Sequence, residues 1–232
     1  MDEFTVDCDG ERLSAIRVGG PGAGITAVLL HGAGTGSKER LLPLLSAFAE
    51  QDCHAVAFDF SGHGRSTGHL SELSLRRRFE QAVAVIDAQA GDGPLVLVGF
   101  SMSGQTVADL VRHYGRRVVS VGLGAPGIFA AAAWNEPFGD GTGTFTEILR
   151  TPGSWRDSAA LPALRGFGGR AVLVTPGTDT VIPPEVTKAV EEALCARARY
   201  SRLELPDAEH KLGLWFRDHP EDGRRLVTLL AG

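Results

Sequence analysis

No run of apolar residues in this chain approaches the ~20 needed to cross a bilayer, so a membrane span is not expected. Cysteine is scarce: Cys8, Cys53 and Cys195 stand singly among 232 residues, an odd count with no CxxC spacing, which argues against a disulfide framework and against a zinc site. An excess of positive charge is also missing. The formal net charge is −5, which offers no basic field to hold a phosphate backbone, so nucleic acid is not an expected partner. The first ten residues (MDEFTVDCDG) are acidic where a secretory leader is basic and then apolar, and a cytoplasmic location is the expectation. His54, His69, His113 and His219 lack ligand-like spacing, so no metal is expected. Gly32–Lys38 (GAGTGSK) misses the phosphate-loop pattern, because Ser37 stands where a glycine is required and Glu39 follows the lysine. No cofactor is implied.

The hydrophobic fraction of 43% and charged fraction of 22% are those of an ordinary globular domain. Continuous β-branched or apolar runs recur at residues 25–30, 54–58, 95–98, 118–123 and 171–174. Continuity, in place of alternation, suits strands covered on both faces, hence an α/β fold with a mostly parallel central sheet and helices on each side. Helical periodicity marks residues 73–90, 105–114, 184–198 and 218–230, while residues 4–6 and 14–18 read as a short antiparallel start to the sheet. Residues 125–169 break the rhythm. Rich in Gly, Ala and Pro, they carry Phe129, Trp134, Phe138, Phe145, Trp155 and Phe167, and read as a small helical lid inserted into a core of residues 1–124 and 170–232.

The sharpest local signal is LVLVGFSMSG at residues 95–104, a buried strand running through Gly99, Phe100 and Ser101 into a helix. A serine at such a turn is presented at the top of the sheet, and the free N–H groups of the following helix face the same point. Ser103 and Gly104 depart from strict G-x-S-x-G, since serine occupies the fifth position. After an earlier strand comes His31-Gly32-Ala33-Gly34, and after the next Asp59-Phe60-Ser61-Gly62-His63-Gly64. Taken together, HGAG, DFSGHG and GFSMSG, in this order and at these strand ends, resemble the α/β-hydrolase fold family over nearly the whole chain.

That resemblance implies a triad in the chain order nucleophile, acid, histidine. Ser101 is the implied nucleophile. Asp179 matches the acid by its spacing to Pro183, and His210, after a last strand at residues 200–205, is placed for the base; Asp207 and Glu209 beside it remain alternative carboxylates. The backbone N–H groups of Ala33 and Met102 are the implied oxyanion donors. Structural roles are implied for His31, His63 and Asp59. Ser103 reads as packing, and Arg76, Arg77 and Arg78 as a solvated helix face.

The expected activity is hydrolysis of an ester or thioester of a small to medium, fairly hydrophobic acyl substrate through an acyl-enzyme. Trp134, Phe138, Phe145 and Trp155 are the expected substrate contacts in the lid. The same scaffold also serves peptidases, C–C bond hydrolases, acyltransferases, ligand-binding modules and cyclases, and an aminopeptidase would need an acidic pocket of the kind Glu136, Asp140 or Glu147 could form. Monomer and homodimer are equally open.

Overall fold

The computed structural model describes residues 1–20 and 24–232. In chain order its elements are β1 (Asp2–Cys8), β2 (Glu11–Val18), β3 (Thr26–Leu30), α1 (Leu42–Ala49), β4 (His54–Phe58), α2 (Leu75–Gln89), β5 (Leu95–Phe100) and α3 (Ser103–Tyr114). They continue with β6 (Val118–Gly124), α4 (Thr144–Arg150), α5 (Ala160–Gly166), β7 (Arg170–Thr178), α6 (Pro184–Cys195), β8 (Arg199–Glu209), α7 (Leu212–Asp218) and α8 (Pro220–Ala231). Among the described residues the strands form one eight-stranded sheet in the order β1-β2-β4-β3-β5-β6-β7-β8. Only β1 and β2 run antiparallel to their neighbours; the six strands from β4 to β8 are parallel.

The continuous apolar strands are buried on both faces, as their composition requires. In β3, Val28 and Leu30 enter one core with α2, α3, α5 and α6, while Ala27 and Leu29 enter the other with α1, α7 and α8. Each fully buried Leu or Phe in these layers stabilises the fold by about 1.5–3 kcal/mol relative to exposure. Six parallel strands packed this way end along one edge, and the loops leaving that edge carry HGAG, DFSGHG, GFSMSG, Asp179 and His210.

Two elements differ from the sequence reading. The helix α1 was not expected from the sequence; its Pro43 lies in the first helical turn, where the missing N–H has no intrahelical partner to lose. The expected helix at 218–230 is α8, and the short α7 before it was not expected. Pro220 opens α8 and holds the preceding His219 at φ −130°, ψ 70°, outside the helical region, so α7 must end there. Residues 125–169 fall between β6 and β7 and form α4, α5 and short 3-10 turns. No helix of the described residues is long and apolar enough to cross a membrane.

Candidate active site

Ser101 follows the last residue of β5 and, among the described residues, is one of four non-glycine residues with positive φ, at +53°. A left-handed L-residue costs roughly 1–2 kcal/mol, so the turn persists only because its surroundings hold it. The Ser101 N–H donates to the Gly124 carbonyl at 2.9 Å, and the Ser101 carbonyl accepts from Gly104 N and Gly127 N, each at 2.8 Å. The turn doubles back so tightly that a Cβ on Gly99 would lie 2.6 Å from the Ser103 carbonyl oxygen. The hydroxyl is thereby fixed at the sheet edge, beside the N-terminus of α3.

Asp179 follows β7 and His210 follows β8, which are adjacent parallel strands. Ser101 Oγ lies 2.9 Å from His210 Nε2, and His210 Nδ1 lies 3.0 and 3.1 Å from the two carboxylate oxygens of Asp179. Asp179 Oδ1 also accepts from the Val181 and Ile182 N–H groups at 2.8 and 3.0 Å, which orients the carboxylate independently of the histidine. The structure therefore brings Asp179, and neither Asp207 nor Glu209, to the imidazole. His210 and Asp179 are mostly buried, which strengthens their interaction relative to water. Such a relay can take a proton from the serine hydroxyl and return it to a departing group.

Ala33 and Met102 line the same cavity as Ser101, and among the described residues neither N–H donates to a protein acceptor. Both are thus available to an oxygen bound over the serine. The loop carrying Ala33 is held from beneath. The His31 carbonyl accepts from Arg78 Nη2 at 2.8 Å and from Ser103 Oγ at 2.6 Å, and Arg78 Nη2 also donates to Ser103 Oγ at 2.7 Å. His31 Nε2 accepts from Phe60 N at 3.1 Å and so ties the loops after β3 and β4 together, while His63 Nδ1 lies 3.0 Å from the Ser61 carbonyl within its own loop. Burial, with Arg78 nearby, keeps His31 well below the usual histidine range. A further clamp joins the loops after β3 and β4: Lys38 Nζ reaches Asp59 at 2.7 Å, both side chains fully enclosed.

Two expectations about this region need correction. Ser103, read as packing, is indeed fully buried, but its hydroxyl also bridges Arg78 and the His31 carbonyl. Arg78 is not solvated: it is wholly buried, its guanidinium lies 3.6 Å from the centre of the Phe60 ring, and burial lowers it to about 9. The signal was present in the sequence, because Arg78 sits on the α2 face that also carries Leu75, Ala82 and Val85.

Over Ser101 opens a cavity of about 390 Å³. Its walls are apolar: Phe129, Ile148, Leu149 and Trp155 come from residues 125–169, and Val181, Ile182 and Val186 from the far side. No charged side chain lines it, and Glu136, Asp140 and Glu147 lie outside it, so the acidic pocket an amine would need is not formed there. Of the four expected lid contacts only Trp155 is a wall. Phe138 and Phe145 turn inward and meet in the core with ring centres 4.7 Å apart and planes tilted at 56°, and Trp134 lies beside Phe79, at a ring separation of 5.8 Å. Phe129 and the aliphatic residues take their places. A second cavity, of about 210 Å³, meets the serine from the other side and is lined by His31, Ala33, Arg40, His210 and Lys211 among others. No group of His, Cys, Asp and Glu among the described residues could hold a metal ion.

Comparison with known proteins matches residues 27–224 to the model of the alpha/beta hydrolase family. The Escherichia coli (strain K12) uncharacterized protein YfhR is 30% identical over 115 residues, 47% of this chain and 40% of the relative. Lysophosphatidylserine lipase ABHD12 of Xenopus tropicalis is 31% identical over 85 residues, 36% of this chain and 22% of the relative. The matches thus span well under half the length of these curated relatives. Among solved structures, a thioesterase domain from the curacin biosynthetic pathway superposes with a TM-score of 0.75 at 16% identity, over 98% of this chain and 99% of that one.

Proposed function

We propose, from the premise that the chain belongs to the alpha/beta hydrolase family, that it is a serine hydrolase cleaving an ester or thioester of a small to medium hydrophobic acyl group. The observation that carries this reading is the line from Asp179 through His210 to Ser101 Oγ, 2.9 Å at its last step, opening into an apolar cavity. Esterolysis is also the kind of chemistry named for the lipase and thioesterase relatives.

In the first half-reaction Ser101 Oγ attacks the acyl carbon as His210 Nε2 takes its proton. Asp179 holds the imidazole with Nε2 free to accept and stabilises the imidazolium that forms. Negative charge moves onto the carbonyl oxygen, which the Ala33 and Met102 N–H groups receive; each such donor is worth on the order of 3 kcal/mol in the transition state. The tetrahedral intermediate collapses, the bond to the leaving oxygen or sulfur breaks, and His210 protonates the leaving group. Water, deprotonated by the same histidine, then attacks the acyl-enzyme and releases the acid. Residues 125–169 act as a lid whose Phe129, Ile148, Leu149 and Trp155 seat the acyl group and exclude water from it.

Labelling with a fluorophosphonate tests this directly. The adduct is expected on Ser101 and on no other residue, is lost in Ser101→Ala and is kept in Ser103→Ala. Folded protein that takes no label and hydrolyses no member of a panel of acyl esters and thioesters contradicts the reading.

A further inference from the structure

Ser101 and Ala33 line both cavities, so an oxyanion bound there has one opening on each side. The two sides are chemically unlike. The lining of the larger holds no charged residue, whereas that of the smaller includes Arg40 and Lys211 and no acidic residue. Among the described residues neither cation takes part in an ion pair, although most other basic side chains near the loops do: Lys38 with Asp59, Arg65 with Glu3, Arg77 with Glu11.

His210 decides which substrate half belongs on which side. The imidazole must hand its proton to the departing atom, and it lines the smaller cavity and not the larger one. The departing group therefore leaves toward Arg40 and Lys211, while the acyl group occupies the apolar side. Arg40 is half-buried, and its stem runs against α7 at Gly213, where an added Cβ would come within 3.3 Å of Arg40 Cβ. That glycine gives the arginine room beside the cavity, and Lys211, an exposed residue, follows His210 directly in the chain.

Resting on the serine hydrolase reading above, we infer that the natural leaving group is an alcohol or thiol bearing an anionic group, a carboxylate or a phosphate, which Arg40 and Lys211 hold in the smaller cavity. Two cationic residues in the lining of one cavity, neither in an ion pair among the described residues, suit an acidic group. The acyl-transfer step is unchanged: the same bond breaks, and the proton still passes from Ser101 through His210 to the leaving atom.

The test uses three butyryl esters with one acyl group: those of 4-hydroxy-3-nitrobenzoic acid, of its methyl ester, and of 4-hydroxy-3-nitrophenylphosphonic acid. Each kcat/KM is normalised to that ester's rate of alkaline hydrolysis, which removes the difference in leaving-group acidity. The wild-type chain is expected to favour at least one anionic ester over the neutral one by about tenfold, less at high salt. Whether the carboxylate or the phosphonate arm is preferred identifies the acidic group. The ratio is expected to fall toward one in Arg40→Gln with Lys211→Gln, to be largely kept in Arg40→Lys, and to be unaffected by the distant Arg224→Gln. Turnover of the esters with a wild-type ratio of one or less, or with a ratio that the double substitution leaves unchanged in folded protein, overturns the inference alone. Absence of turnover on all three esters, together with absence of fluorophosphonate labelling, overturns the hydrolase reading and the inference with it.

Discussion

Thr178 pairs with Glu209 across β7 and β8, and the next residue on each strand is Asp179 on one side and His210 on the other. The carboxylate and the imidazole are thus brought together by strand register, and Thr178 Oγ1 reinforces it by donating to the Ala208 carbonyl at 3.1 Å. Asp179→Asn is expected to leave this frame intact, because an amide oxygen still accepts from the Val181 and Ile182 N–H groups. The amide N–H₂ would then face His210 Nδ1 and favour the wrong tautomer. Ester kcat should fall by about 10⁴ with little change in melting temperature; a loss under tenfold would mean that another carboxylate serves the histidine.

The positive φ of Ser101 separates activity from stability. Ser101→Ala and Ser101→Gly should both abolish turnover, since neither offers a nucleophile. Glycine tolerates φ +53° without the Cβ penalty, so Ser101→Gly is expected to be more stable than Ser101→Ala by about 1 kcal/mol. Urea denaturation of the two variants checks this, and equal midpoints would mean the turn stores no such strain.

Arg78 acts at a distance from the chemistry, through the His31 carbonyl beneath the Ala33 loop. Arg78→Met keeps much of the volume and removes both hydrogen bonds, leaving Ser103 Oγ alone to hold that carbonyl. A positioning role predicts a fall in kcat of roughly tenfold, the scale of one weakened donor, with KM nearly constant. Stability should change little, because a buried cation is itself costly. A raised KM with unchanged kcat would place Arg78 outside the support of the oxyanion site.

Asp109, enclosed on α3 and accepting from Gln105 Nε2 at 3.0 Å, is raised to about 6, mainly by burial. Because the folded state binds the proton more tightly than the unfolded chain, this contribution to stability is fully present below the ordinary carboxylate range near 3.8 and is lost as pH rises through about 6. Asp109→Asn keeps an acceptor for Gln105 and no charge. Its stability relative to wild type should therefore rise between pH 4 and pH 7.5, by at most about 3 kcal/mol. Denaturation at both pH values measures the difference, and a pH-independent offset would show that the carboxyl does not titrate this way.

The sheet and the loops at its edge could be read from sequence because parallel strands buried on both faces have a distinctive composition, and their ends are marked by glycine turns at Gly32, Gly62 and Gly99. Ser101 stands out for the same reason, at the end of a buried strand, whereas Asp179 and His210 were expected from the chain order that the resemblance to the α/β-hydrolase fold implies. The walls of the large cavity were not legible. Phe138, Phe145 and Phe129 are alike in the sequence, and only the packing of short helices against the core decides that the first two turn inward and the third faces the serine. Arg78 was hidden by its basic neighbours, although Arg76 is exposed on the other side of the same helix.

Residues 125–169 leave the sheet at the end of β6 and return at the start of β7, two strands that remain hydrogen-bonded to each other from Ser120–Arg170 to Gly124–Val174. The excursion is a wall on a closed frame, rooted in it by Phe138, Phe145 and Leu164, which are buried in the core. Its anchors to the reacting end are few, chiefly Gly127 N on the Ser101 carbonyl and Ser158 Oγ and Phe129 N on Gln105. Fold and fit can therefore drift independently in descendants of this chain: the cavity-facing positions Phe129, Ile148, Leu149 and Trp155 can be rewritten while the core residues of the wall and the strands that carry Ser101, Asp179 and His210 stay as they are.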